Sequence, residues 1–433
     1  MPLSRQVAAV ALLMFLACSA MTLNAQTNGS ASDTAELNHR LELLEKQVSD
    51  LRAALAAANA PAAPAASSAV PPAAAAVATP APPATAAESL GHLLGSTTLS
   101  GFVDTYYGFS INQPQSRMTG LRSFDAPANQ FSLNMIELII DKPAEATNSR
   151  LGYHIAFGYG DAMNAVNATD PGGLGFAQYL KEAYFTYLAP VGSGLTIDVG
   201  KFVTPHGFEV IESKDDWNYS RGLLFSYAIP YYHYGVRAKY AFNSKYSLTG
   251  YVVNGWNDVI DNNTGKTFGL SFAWNPTKKF SLTQNYMAGP EGLNTNSHWR
   301  QVSDTVFTYA PTNRLSLALN YDYGRGDMVL GYANPAFWTG IGGYVRYVFN
   351  SRYSLATRYE YFDDHNGFTT GTPQHLNEFT GTLERLVSHH LITRLEFRHD
   401  VSNAPVFMKG STPVPGQSTI SAGLIYAIDS REQ

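Results

Sequence analysis

From residue 97 onward, apolar and polar side chains alternate with a period of two. The clearest stretch is 315–323, in which Leu and Tyr alternate with Ser, Ala, Asn and Asp, and the same period returns in 268–274, 353–361 and 391–397. Successive side chains of a β-strand point to opposite faces, so each stretch has one apolar face and one polar or small face. Segments of about ten residues with this pattern are typical of tilted transmembrane β-strands.

The alternation divides the region into sixteen predicted strands, and an even number is typical of single-chain bacterial barrels. We therefore expect an all-β fold, an antiparallel transmembrane β-barrel of about 16 strands over residues 97–433. The predicted strands are 97–109, 129–141, 150–160, 178–188, 194–201, 231–242, 246–256, 266–275, 280–289, 298–310, 315–325, 337–349, 353–363, 376–388, 391–401 and 418–429.

The predicted connections alternate between short and long. Outer-membrane barrels have short periplasmic turns and longer external loops, so we expect both ends of the barrel on the periplasmic side. The short turns are 142–149, 189–193, 243–245, 276–279, 311–314, 350–352 and 389–390. The long loops are 110–128, 161–177, 202–230, 257–265, 290–297, 326–336, 364–375 and 402–417.

A soluble sandwich or propeller is the alternative all-β fold, and its outer face would normally be charged. In this chain, aromatic residues concentrate at strand ends on the apolar stripe, as in the interfacial girdles of membrane barrels. This distribution favours the membrane barrel. Examples are Tyr107, Phe109, Tyr246, Trp274, Tyr347, Phe349, Tyr353 and Tyr426.

The composition agrees with a lipid-facing barrel. Only 15% of the residues are charged, against roughly 25% in an ordinary soluble domain. The only long apolar run lies at the extreme N-terminus, which excludes a bundle of transmembrane helices. The formal net charge of −5 argues against a nucleic-acid partner, because such proteins usually carry a basic surplus.

Residues 1–25 are predicted to be a signal peptide. Arg5 supplies the positive region, 7–16 form an apolar core, and Ala25 is a small residue before a cut at Gln26. A lipoprotein signal that ends at Cys18 is the alternative. Cleavage after Ala25 removes the only cysteine, so the mature chain would have neither a disulfide nor a thiolate metal site.

Residues 26–58 are predicted to be a periplasmic coiled-coil segment, and 59–96 a Pro/Ala-rich linker. Apolar residues in this segment are alternately four and three residues apart, which is the seam of a left-handed coiled coil. The residue types in the seam do not decide between two and three strands. An amphipathic helix packed on a domain is the alternative. Seven prolines between 59 and 89 forbid a stable helix and favour an extended spacer. The seam is Leu37, Leu41, Leu44, Val48, Leu51 and Leu55.

Three segments resemble the outer-membrane β-barrel porins of the OmpL-like type. They are the opening Gly-Phe-Val-Asp-Thr-Tyr-Tyr of 101–107, the Gly-Lys-Phe of 200–202, and the Tyr-Val-Val-Asn-Gly-Trp-Asn of 251–257. The resemblance covers about residues 97–429. It implies a passive, homotrimeric outer-membrane channel.

The polar side of the alternation supplies charged residues that would face the channel. Such charges set weak ion preference and orient polar solutes, unless they pair locally and only keep the wall wet. The basic candidates are Arg237, Lys239, Arg346, Arg358, Arg394 and Arg398. The acidic candidates are Asp104, Glu137, Glu182, Asp198, Asp322, Glu360, Glu378, Glu384 and Glu396.

The third long loop, 202–230, is the longest of the predicted loops and carries Glu209, Glu212, Asp215 and Asp216. In general porins the third loop folds inward and narrows the channel, and the resemblance implies the same role here. An outward loop that shields the barrel mouth is the alternative. If the acidic loop faced the basic residues of the later strands, a transverse electric field would cross the constriction.

These patterns predict a porin for passive diffusion of small hydrophilic solutes, constricted by the third long loop. The alternative is a structural tether, in which the barrel anchors a coiled coil that reaches toward the cell wall. An enzyme is not expected, because neither a nucleophile–base set nor a metal-ligand cluster is visible. As partners we expect outer-membrane lipid and further copies of the chain. We expect neither a cofactor nor a nucleic-acid partner.

Overall fold

The computed structural model describes residues 95–327 and 335–429. The predicted signal peptide, the coiled-coil segment with its seam from Leu37 to Leu55, and the linker up to residue 94 lie outside the described residues. These predictions therefore stay predictions. Within the described part of the chain, no helix has the length and hydropathy needed to cross a membrane.

Sixteen strands form one closed antiparallel barrel, in the order β1 to β15 and then β18, which pairs back with β1. The predicted barrel of about 16 strands is confirmed. The strands are β1 Thr98–Ser110, β2 Gln130–Lys142, β3 Leu151–Tyr159, β4 Leu180–Ala189, β5 Leu195–Val203, β6 Tyr232–Ala241, β7 Tyr246–Val253, β8 Thr267–Thr277, β9 Phe280–Gly292, β10 Thr295–Tyr309, β11 Leu315–Gly326, β12 Ala336–Val348, β13 Tyr353–Asp364, β14 Gln374–Leu386, β15 Leu391–Ser402 and β18 Gly416–Asp429.

The first and last strands close the sheet. β1 and β18 pair in continuous register from Ser100 opposite Asp429 to Ser110 opposite Thr419. Closure leaves no strand edge with unpaired N–H and C=O groups, which is the condition for a β-structure to lie in hydrocarbon.

The two faces of the wall differ as the alternation predicts. In β13, Leu355 and Tyr359 point outward and are exposed. Arg358 and Glu360, on either side of Tyr359, point inward and are fully buried. The outer face therefore carries apolar side chains and the inner face carries the charged ones, as in transmembrane barrels.

Two of the register shifts in the barrel wall, at β-bulges of β2 and β4, each turn an extra polar side chain inward. The register between β1 and β2 slips at Asn134, so Asn134 and Met135 are both fully buried. A second slip between β3 and β4 occurs at Lys181, and both Lys181 and Glu182 are buried. A bulge places two consecutive residues of one strand opposite a single residue of the partner strand. A strict period of two therefore assigns one residue of each such pair to the wrong face.

The loops contain short elements that the sequence patterns did not predict. Two helices, α1 Asp161–Asn167 and α2 Leu174–Ala177, lie between β3 and β4, and a π-helical turn spans Leu224–Ala228 between β5 and β6. Before β18, strands β16 Phe407–Lys409 and β17 Thr412–Val414 form a separate hairpin.

The prediction of a long loop over 290–297 is wrong. β9 and β10 extend toward each other and pair from Gly292 to Thr295, so only residues 293 and 294 lie between the two strands. Asn294 takes a left-handed conformation with φ of 57°, which Asn tolerates and which suits a tight hairpin turn. The predicted alternation of long and short connections therefore fails between β9 and β10.

Candidate functional site

The third loop, residues 204–231 between β5 and β6, contacts the opposite wall of the barrel. In the closed sheet, β13 lies eight strands from β5. The Arg358 guanidinium on β13 donates a hydrogen bond of 2.6 Å to the carbonyl of Ser220, and the Leu223 N–H donates to the Glu360 carboxylate. The loop therefore crosses the interior from one wall to the other.

Side chains of the far wall act as acceptors for the N–H groups of the third loop. Glu396 on β15 accepts from the N–H of Tyr219 at 2.6 Å and of Ser220 at 3.0 Å. Asp304 on β10 accepts from Gly207 N–H at 3.1 Å. A loop inside a barrel has no ladder partners, so its backbone needs such side-chain acceptors.

Two arginines of β15 act as donors to the carbonyl groups of the same loop. Arg394 donates to the carbonyls of Asp216 at 2.7 Å and Asn218 at 3.2 Å, and also to that of Ser213. Arg398 donates to the carbonyl of Arg221 at 2.6 Å. Together with Glu396, these residues satisfy both kinds of backbone group on one segment of the loop.

Gly222 allows the closest of these contacts. Its Cα lies against the Glu360 carboxylate, and a Cβ at this position would overlap the carboxylate oxygens. Glu360 also accepts from Tyr344 Oη of β12 at 2.9 Å. The glycine is thus required by close approach of the loop to the wall.

A buried chain of ion pairs joins the third loop to the wall. Arg358 pairs with Glu209 of the loop at 2.5 Å and with Glu378 of β14 at 2.8 Å. Arg398 pairs with the same Glu378 at 2.8 Å and with Asp400 at 2.8 Å. Each arginine lies between two carboxylates and is fully buried, which is the arrangement that offsets the cost of removing charge from water.

The remaining loop acids predicted at the constriction have different surroundings. Glu212 pairs with Lys181 of β4. Asp216 is buried, accepts from Val210 N–H at 2.9 Å, and faces Arg221 at 3.5 Å. Burial and the neighbouring Glu209 carboxylate raise the pKa of Asp216 well above its usual range. Asp215 is about half exposed and pairs with Lys214 at 2.5 Å.

The acidic candidates of the early strands are buried and partnered. Asp104 accepts from the hydroxyls of Ser213 at 2.6 Å and Tyr219 at 2.9 Å, so β1 also contacts the third loop. Glu137 pairs with Lys181, and Glu182 accepts from Val203 N–H at 3.1 Å.

Three basic candidates do not contact the third loop through an ion pair. Arg237 pairs with Asp198 at 2.7 Å across β5 and β6. Arg346 pairs with Glu384 at 2.9 Å and keeps about one third of its side chain exposed. Lys239 is exposed.

Local pairing between charged residues of adjacent strands also occurs. Arg394 pairs with Glu384 of β14 at 2.7 Å, whereas Glu396 accepts from the loop backbone.

Two cavities lie on either side of the third loop. Toward the short-turn end of the barrel, a polar cavity of about 330 Å³ is lined by Lys214, Trp217, Arg346, Arg352 and Glu384 among others. Toward the long-loop end, a cavity of about 590 Å³ lies between the third loop and the loops after β3, β7 and β13.

The sequence matches the family model described as "Putative beta-barrel porin-2, OmpL-like" over residues 96–428, nearly the whole described barrel. The chain belongs to this family. Membership in this porin family and the barrel fold support an outer-membrane location and a channel role rather than an enzyme. No curated protein sequence matches the chain significantly.

Solved structures with the same fold are outer-membrane proteins of low sequence identity. The anion-selective porin from Comamonas acidovorans is 10% identical with a TM-score of 0.54, and the match covers 77% of this chain and 99% of that chain. In-vitro folded OmpT of Vibrio cholerae, in its trimer form, is 11% identical with a TM-score of 0.52 over 77% and 99% of the two chains. At such identity the likeness shows the fold alone.

Several residues of this porin-family site were missed by sequence analysis. Lys181 was missed because a bulge between β3 and β4 turns it inward, and no local sequence pattern predicts that bulge. Arg122 lies in a loop, where no alternation applies, yet it pairs with Asp400 at 3.1 Å and extends the buried ion chain. Asp304 lies on the same inner face of β10 as Val302 and Val306, and these apolar neighbours hide its inward direction from a reading based on alternation.

Proposed function

We propose that this chain forms a water-filled outer-membrane channel for passive diffusion of small hydrophilic solutes, narrowed by the third loop. The observation that carries the proposal is the loop's attachment to the far wall. Its backbone donates to Asp304, Glu360 and Glu396, and Arg394 and Arg398 donate to its carbonyls. A segment held at both walls divides the interior and limits the width of any passage.

The charged lining proposed from the sequence has two roles. Arg358, Arg394 and Arg398 hold the third loop, because each is buried and bonded to it. Ion preference would then depend on the groups that keep contact with water, such as Arg346 and Asp215 at the short-turn end. On this proposal, direct ion pairs between the third loop and the wall take the place of the transverse electric field expected from the sequence.

Planar-bilayer recording of the purified, folded protein tests the channel. We expect discrete conductance steps, and we expect liposomes that contain the protein to swell in small neutral solutes but not in large ones. A heat-dependent shift in gel mobility checks that the barrel is folded. Absence of steps and of swelling in folded protein would count against a channel.

We also propose a homotrimer, as the sequence resemblance implies. The trimer form of the OmpT structure from Vibrio cholerae supports the proposal by likeness of fold. Light scattering of the detergent-solubilised protein measures the mass directly, and a monomeric mass at all concentrations would contradict it.

A further inference from the structure

The cavity of about 590 Å³ at the long-loop end has a size typical of small-molecule sites. Its walls come from separate segments: Tyr227 of the third loop, Trp256 and Asp258 of the loop after β7, Arg300 of β10, and Phe368 and Thr369 of the loop after β13. Polar and aromatic side chains thus converge on one space from four parts of the fold.

Three polar groups around this cavity lack a hydrogen-bond partner among the described residues. They are Asp258 Oδ2, Arg300 Nε and Thr369 Oγ1, and all three atoms are buried. Asp258 is only 2% exposed. Buried polar groups are normally satisfied, so three unpaired groups on residues that line one cavity indicate partners that a ligand or water would supply. Together they comprise an N–H donor, a hydroxyl, and a carboxyl oxygen.

The aromatic side chains hold the guanidinium in place. The Arg300 guanidinium lies 4.9 Å from the ring centroids of both Trp256 and Phe368. Phe368 in turn stacks on Trp338 with centroids 5.2 Å apart and planes at 6°. Such cation–π contacts fix Arg300 while leaving Nε unpaired.

The charges around the cavity disfavour a strongly ionic ligand. Burial, with the nearby Glu291 and Asp170 carboxylates, raises the pKa of Asp258 to about 8, so this carboxyl is mostly protonated at neutral pH. The positive charge of Arg300 is then opposed by Glu291, whose carboxylate is fixed by Trp256 N–H at 2.9 Å and Thr267 Oγ1 at 2.9 Å. A cation would meet Arg300, and an anion would meet Glu291.

We propose that this cavity is a binding site for a neutral polyhydroxylated solute, a mono- or disaccharide, that enters from the long-loop end. Hydroxyl groups both donate and accept, so they can pair with a carboxyl, a guanidinium N–H and a threonine hydroxyl together. The apolar faces of a sugar ring can pack on Tyr227 and Trp256. The assignment rests on the proposed channel function, for which it names the solute class.

Calorimetric titration of the folded, detergent-solubilised protein tests binding without requiring transport. The probes are glucose, maltose and sucrose, with citrate and spermidine as charged comparators. We expect saturable binding of at least one sugar and none of the charged compounds. Saturable binding of citrate or spermidine alone, or of no probe to protein shown to be folded, would overturn the proposal.

Variants locate the binding. Asp258→Ala should weaken sugar binding by about tenfold or more, and Thr369→Val, which keeps the shape, by several-fold. Asp261→Ala is the matched control, because Asp261 lies in the same loop but pairs with Lys266 and does not line the cavity. Unchanged affinity in both folded cavity variants would overturn the assignment. Gel mobility before and after heating confirms folding of each variant.

Bilayer recording of the same preparations separates this proposal from the proposed function. Conductance without sugar binding contradicts only the saccharide site. Sugar binding that is lost in Asp258→Ala, without conductance, supports the site and contradicts the channel.

Discussion

Arg358 shows what a charged residue does inside this barrel. Its side chain is fully buried between Glu209 of the third loop and Glu378 of β14, and it also donates to the Ser220 carbonyl. The period-two pattern predicted its inward direction correctly. It did not predict its partners, because Glu209 is 149 residues away in the chain and reaches Arg358 only through the path of the third loop.

The burial of this ion pair leads to a prediction about stability. Arg358→Met leaves Glu209 and Glu378 without their shared partner, and breaking a buried pair in this way costs about 3–5 kcal/mol. We expect the urea midpoint of unfolding in detergent or lipid to fall accordingly.

Arg346→Met is the matched control, since Arg346 also lies on the inner face but is about one third exposed. Its loss should cost about 1 kcal/mol or less. Equal loss of stability in the two variants would contradict the role given to Arg358.

At the scale of elements, strands and loops differ in how far local sequence determines them. All sixteen barrel strands were predicted, with ends within three residues of those in the structure. β7 is an example of a misplaced end, because it stops at Val253 where the prediction ran to 256. Beyond it the N–H of Trp256 donates to the Glu291 carboxylate at 2.9 Å, outside the strand ladder. A side chain of β9, two strands away from β7, thus takes the place of a ladder partner beyond the end of β7.

The attachment of the third loop gives a prediction at the element scale. Glu396→Ala removes the acceptor of two loop N–H groups, and each buried group left unpaired costs about 1–3 kcal/mol. We expect the loop to loosen, so that single-channel conductance rises and fluctuates more than in the unmodified protein.

Asp198→Ala provides the control for this experiment. Asp198 also faces inward, but its partners Arg237 and Thr186 belong to neighbouring strands rather than to the third loop. Its conductance should stay close to that of the unmodified protein. The same conductance in Glu396→Ala as in Asp198→Ala would argue against a loop that narrows the passage.

At the scale of the whole molecule, the channel and tether hypotheses differ in what they require of residues 26–89. Deletion of this segment should leave single-channel conductance unchanged if the barrel is a porin. A tether would lose its envelope phenotype with the same deletion.

A matched variant that lacks only 59–89 keeps the predicted seam. Light scattering of this variant and of the variant that lacks 26–89 compares the masses of their assemblies and shows whether the seam contributes to assembly. Loss of conductance in the folded deletion variant would contradict an independent barrel.

The sequence by itself determined the wall of this protein. Side-chain direction in a strand follows from position alone, so apolar and polar faces, strand number and inward charges such as Arg358 and Glu396 can be read locally. Tertiary structure decided what those charges contact. The path of the third loop, the bulge that turns Lys181 inward, and the meeting of Asp258, Arg300 and Thr369 around one cavity depend on strands far apart in sequence. Such contacts arise only when the sheet closes and brings opposite walls within hydrogen-bond reach.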